Sequence, residues 1–179
     1  MTDTASQTDT APQTDTNISP EMAAAAGTEI SRRVSFPVTD SDIRRWALAV
    51  YWPEEPPAHY LRGDGPLTAP QEFNPFAWAA AEVTTHPAGK ASTQNDPDST
   101  EKQIGVAGPG LTFMLNGGME AEYGAPIRAG DVITGVNRLA SYSERRGRLG
   151  LMLFTVTEDT WTNQDGALIK RGRTTLIRY

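Results

Sequence analysis

The side chains able to move protons are few and unevenly placed. Cysteine is absent and only two histidines occur, at His59 and His86. His59 closes the run Pro53-Glu54-Glu55-Pro56-Pro57-Ala58-His59. Carboxylates and an imidazole so near each other are the ingredients of general acid–base chemistry. The same residues also fit a plainer reading, as solvated charges on a Pro-rich surface loop, because a base is defined by its reach before its residue type. His86 borders a polar stretch and reads as a solvent-facing loop histidine. Without cysteine, thiolate nucleophiles, disulfides and cysteine-ligated metals are excluded. Neither a metal nor a cofactor is expected.

The elements that must hold these residues follow from periodicity. Residues 1–26 are mostly Thr, Gln, Asp, Ala and Ser and predict a disordered tail, since they offer little apolar surface to bury. A strand is expected over Glu29 to Val38. A helix follows from Thr39, with Thr39 and Asp42 as a capping box and Ile43, Trp46, Ala47 and Val50 as its apolar stripe. Pro53 ends it and pushes Trp52 to extended geometry. Ala69 to Phe73 reads as a helix start, with Phe73, Phe76, Ala77 and Ala80 on one face, and Pro75 interrupting it predicts two short turns or a kinked helix. Residues 86–103 read as an exposed polar loop. Four strands then form a long antiparallel meander: Phe113 to Tyr123, Val132 to about Tyr142, Leu149 to Val156, and Leu168 to Ile177. Gly147 and Asn163-Gln164-Asp165-Gly166 close hairpins. The pattern predicts an α+β fold, an antiparallel sheet with helices on one face.

The chain has 179 residues and a net charge of −6, enough for one domain with a real core. An acidic surface repels phosphate backbones, so nucleic-acid binding is not expected. No apolar run approaches membrane-spanning length, and a cytoplasmic protein is expected. Several further features have plain explanations. Asp131 reads as a turn residue. Glu120 and Glu122 share one strand face as solvated charges. Gly105 to Gly110 lacks the Lys-Ser/Thr of a phosphate loop. Asn116-Gly117-Gly118 inside a strand pattern suggests a bulge or close backbone approach. The arginines at 145, 146, 148, 171, 173 and 178, with Lys170, could meet ligand phosphates or simply solvate strand faces.

In order along the chain, Ala69-Pro70-Gln71-Glu72-Phe73, Asn116 to Tyr123, Pro126 to Asp131, and Asn163 to Gly166 with Arg173-Thr174-Thr175 resemble the N-terminal dehydratase domain of the MaoC-like hot-dog family. The resemblance covers about residues 31–179. It implies a sheet wrapped around a helix, two such folds pairing to make the working unit, and hydration or dehydration of acyl thioesters. The family's hydratase motif, Gly-Asp-x-Asn-Pro-x-His, falls on the Pro53 loop. Glu54 stands where the Asp would be, Pro57 matches the Pro and His59 matches the His. Glu for Asp moves the carboxylate by one methylene. Pro56 in place of Asn removes an amide and a backbone donor.

The resemblance therefore implies a substrate-binding set of Pro70, Phe73, Phe76, Asn116, Gly117 and Gly118, with Glu54 and His59 as degenerate catalytic candidates. The expected function is an acyl-thioester-binding subunit of an enoyl-CoA hydratase or 3-hydroxyacyl dehydratase. It would receive acyl-CoA or an acyl-carrier-protein thioester and pair with a catalytic MaoC-like subunit as a hetero-oligomer. The alternatives are a self-sufficient homodimer using Glu54 and His59, or a hot-dog thioesterase with Glu72 as its carboxylate.

Overall fold

A computed structural model describes residues 15–62, 65–77, 81–83 and 96–179. Six strands form one antiparallel sheet: β1 (Glu29–Ser35), β2 (Ala81–Val83), β3 (Met114–Tyr123), β4 (Thr134–Gly147), β5 (Gly150–Thr162) and β6 (Leu168–Arg178). Their order is β2-β1-β4-β5-β6-β3. Only β4, β5 and β6 form the expected meander. β3 skips its successor in sequence and pairs with β6 at the sheet's edge, an arrangement that period-two alternation does not encode.

The helices are α1 (Pro20–Ala24), α2 (Asp40–Tyr51), α3 (Ala58–Leu61) and α4 (Ser99–Gln103). α2 begins where Thr39 Oγ1 accepts from the Asp42 N–H, while the Asp42 carboxylate accepts from the Thr39 N–H, so the capping box closes in both directions. Before Pro53, the cap residue Trp52 turns extended at φ −52°, ψ 133°. The sheet wraps α2. Ile43 packs with Val38, Leu67, Phe73, Ile133, Trp161 and Ile169, and Trp46 leans on that cluster from its rim. Val50, expected on the same stripe, is exposed instead, because the sheet covers only the first turns of the helix.

Two expectations need correction. The expected tail is ordered from residue 15, the first described. Ser19 caps α1, Met22 is buried, and the Asn17 N–H and Thr16 hydroxyl both donate to the Glu144 carboxylate. Residues 1–14 lie outside the described residues. One methionine amid alanines sufficed to anchor a segment whose average composition looked unfoldable. The expected polar loop is α4 from Ser99, with Glu101 fully buried, whereas residues 84–95, including His86, lie outside the described residues. From Ala69 the chain takes the first of its two expected forms, a pair of turns closed by Phe73 N–H to Pro70 C=O and Ala77 N–H to Asn74 C=O, while the Ala69 N–H bonds the Ile127 carbonyl.

The β4–β5 hairpin turns at Arg148-Leu149, with Gly150 at φ 96°. The β5–β6 turn ends at Gly166, φ 78°, as its sequence predicts. Asp131 is the expected turn residue, its carboxylate accepting from the Arg128 N–H at 2.7 Å and from Gln164 Nε2 at 3.1 Å.

Candidate functional site

The Pro53 loop leaves α2 through a turn in which the Glu54 N–H donates to the Tyr51 carbonyl at 2.8 Å. Glu54 and Glu55 are exposed, while Pro56 is buried. α3 then carries His59 on its exposed side, the ring tilted against Tyr60 at a centroid distance of 4.0 Å. Burial, and secondarily the neighbouring Tyr51, push the Tyr60 phenol above its ordinary range. Among the described residues no hydrogen bond or ion pair joins Glu54 to His59.

The six residues expected to bind substrate are distributed over separate places. Phe73 is in the core. Phe76 meets Trp161 edge-on at 5.2 Å and lies 4.2 Å beneath the Arg33 guanidinium. Pro70 lines a small hollow of about 190 Å³ with Tyr123, Pro126 and Trp161. Asn116, Gly117 and Gly118 form the β3 bulge. The Asn116 side-chain oxygen accepts from the Gly118 N–H at 2.9 Å, and Gly118 sits at φ 125°. A Cβ on Gly117 would stand 2.8 Å from Ile177 Cγ1, so this glycine is required by packing of β3 on β6. Gly117 and Gly118 also line a hollow of about 480 Å³ with Ser141, Val156 and Arg173.

The charged residues divide by face. Arg171 pairs with Glu122 at 3.2 Å and Arg173 with Glu158 at 2.8 Å, a ladder across the outer side. Arg178 is inside the protein and unavailable to a ligand phosphate. Glu72 is 70% exposed in its turn and 3.3 Å from Lys170 Nζ, rather than on the wrapped helix.

One groove escaped the sequence reading. It opens between Trp46 of α2 and the inner face of the sheet, with a volume of about 410 Å³, within the range of ligand pockets. Register builds its floor. Thr157 stands opposite Thr174, and Thr174 opposite Met119. Two residues along, Asn137 stands opposite Asp159, and two further on Trp161 stands opposite Lys170. Asp159 Oδ2 accepts from Arg33 at 2.7 Å and from Trp161 Nε1 at 2.8 Å. The Lys170 ammonium lies over Tyr123 and Trp161, at 5.1 and 5.4 Å. The available signal was the alternation Thr157, Asp159, Trp161 within β5, which places polar groups on the inward face.

The family model for the FAS1-like dehydratase domain region matches residues 24–171. No curated protein sequence matches the chain. Among solved structures, a chain of the ChsH1–ChsH2 complex of Mycobacterium tuberculosis superposes with a TM-score of 0.55 at 14% identity, covering 89% of this chain and 87% of that one. A MaoC-like dehydratase superposes at 0.51 and 23% identity, covering 87% of this chain and 42% of that one. At such identities the superpositions speak to fold, and the family model to membership. The sheet wrapped around α2 is the hot-dog fold, and the chain belongs to the FAS1-like dehydratase domain-region family, of MaoC-like architecture.

Proposed function

We propose that this chain is the acyl-thioester-binding subunit of a hydratase–dehydratase, working beside a hot-dog partner that supplies the catalytic Asp and His. The observation that carries this reading is the separation of its own candidates from its own groove. Glu54 stands exposed on the Pro53 loop and His59 exposed on the short α3 that follows it, while neither lines the groove of about 410 Å³ on the inner face of the sheet. Activating a water for attack on an enoyl thioester needs base and substrate within hydrogen-bond reach.

The outer edge of β3 supports a partner. Among the described residues it pairs with β6 on one side only, and Leu115 and Met119 are exposed on it, with Phe113 exposed just before it. An unpaired strand edge is a template for another strand. The ChsH1–ChsH2 structure is itself a complex of two differently named subunits, which agrees with pairing of unlike chains.

Turnover of crotonyl-CoA by the purified chain, alone and with His59→Ala, tests the proposal. Negligible activity of the chain alone is expected. In an active complex with a catalytic subunit, His59→Ala should change turnover by less than about threefold, under about 1 kcal/mol of barrier. A loss of about a hundredfold or more, with the fold intact by circular dichroism, would make His59 the base and the chain a self-sufficient enzyme.

A further inference from the structure

The lining of the groove between Trp46 and the sheet does not suit a hydrocarbon. Two successive rows of its floor are polar, Thr157 beside Thr174 and Asn137 beside Asp159. Rows two residues apart in a strand are separated by roughly 6–7 Å, the length of several carbon–carbon bonds. Asp159 turns its carboxylate inward, Oδ2 accepting from Arg33 and Trp161 and Oδ1 buried, so the groups left for an occupant are the Thr157 and Thr174 hydroxyls and the Asn137 amide. Covering such groups with methylenes strips their water and returns no hydrogen bond, which disfavours a plain alkyl occupant. The apolar surfaces of the groove are Trp46, Trp161 and Met119, so an occupant meets carbon on its flanks and hydrogen-bonding groups beneath.

The ends of the groove limit where an occupant can lie. On one side Phe76 and Arg33 close over Trp161. On the other, Glu101 of α4 caps the next inward row, receiving Tyr142 and Arg178 while Arg178 reaches Thr155. Both closures are made by the protein's own side chains. The Thr157–Thr174 row lies between them.

Resting on the acyl-thioester reading above, we infer that the acyl chain received here bears hydroxyl or oxo groups along its length rather than being a simple fatty acyl chain. The threonine hydroxyls and the Asn137 amide can each donate to or accept from such groups. Discrimination of this kind is strong because the wrong ligand leaves the site's own polar groups unpaired.

Calorimetric titration of the full chain with three probes tests the inference: dodecanoyl-CoA, a mid-chain-hydroxylated dodecanoyl-CoA, and free coenzyme A. The hydroxylated thioester is expected to bind about tenfold tighter than the plain one, the worth of a single well-made hydrogen bond. In the paired variant Thr157→Val with Thr174→Val, nearly unchanged in volume, that preference should vanish while the plain thioester binds at least as well as before. Equal or tighter binding of the plain thioester by the unaltered chain would overturn the inference and leave the acyl-binding reading standing. So would a preference that survives both the paired valine variant and Asn137→Leu. If neither thioester binds better than free coenzyme A, the acyl-binding reading itself fails, and the inference with it.

Discussion

Arg178 and Glu101 form an ion pair inside the protein, Nη2 to Oε1 at 2.7 Å, with neither side chain exposed to solvent. The guanidinium also donates to the Pro97 carbonyl and the Thr155 hydroxyl, and Tyr142 donates its phenol to Glu101 at 2.6 Å. Through these bonds the last strand holds the α4 segment against the sheet. Burial acts to raise the Glu101 pKa, but the hydrogen bonds from Arg178 and Tyr142 outweigh it and the net shift is downward. Burial and the Glu101 carboxylate push the Tyr142 phenol up.

Glu101→Ala should destabilise the protein by about 3 kcal/mol, because it takes from a buried guanidinium its two shortest carboxylate bonds and leaves only Asp98, at 3.3 Å, as counter-charge. Glu101 has a lower pKa folded than unfolded, so its contribution is fully present above the unfolded carboxylate value and disappears as pH falls through the folded one. Urea melts of the parent and of Arg178→Met with Glu101→Leu, from neutral pH to below the carboxylate range, check this. The parent should lose stability on acidification more steeply than the double variant.

Met22→Ala should cost about 2–5 kcal/mol, the range for emptying a buried methionine site, since Met22 is 1% exposed. A thermal melt reads it directly. A change under about 0.5 kcal/mol would show that α1 does not contribute to the fold in solution.

Thr39→Ala removes the side-chain acceptor at the start of α2 and leaves the Asp42 N–H only the Thr39 carbonyl, at 3.1 Å. A loss of about 1 kcal/mol is expected, while Thr39→Ser should retain most of the stability. Denaturant midpoints of the two variants separate the cap from any packing role of the threonine methyl.

Leu115→Lys puts a charge on the free edge of β3, where Leu115 is half exposed. The monomer fold should survive, with a melting temperature within a few degrees of the parent. If β3 carries the proposed pairing, assembly should be lost, measured by sedimentation of the chain alone and with a candidate catalytic MaoC-like subunit. Unchanged association would move the partner to another surface.

Much of the architecture was legible because local rules and tertiary demands agree. The α2 capping box, the stop at Pro53, the Gly166 turn and the extent of β3 all follow from neighbouring residues alone. The position of β3 beside β6 does not, since pairing partners across a sheet are chosen by long-range packing that no short window contains. Trp46 shows the same boundary. Its helical spacing placed it on the buried stripe, yet it meets Phe73 edge-on at 5.7 Å and forms one wall of the groove. Glu101 was read as a loop charge because its partner, Arg178, is distant in sequence. The groove was hidden for a related reason. It is a coincidence of registers among four strands, so each polar residue looked ordinary alone.

The order of strands in the sheet also sets an order in time. β4, β5 and β6 are joined by tight turns and close only short loops, so they can zip together early. β1 must find β4 across a hundred residues, pairing Arg32 with Val136, and β3 must pass over the finished meander to reach β6. Loop-closure entropy has to be overcome before either contact stabilises anything. Folding is therefore expected in milliseconds to seconds, with the β4–β6 hairpins formed in the transition state, β3 docking next through its short tether to β4, and β1 closing the longest loop last. Until β3 docks, the edge of β6 is the strand a passing chain could capture.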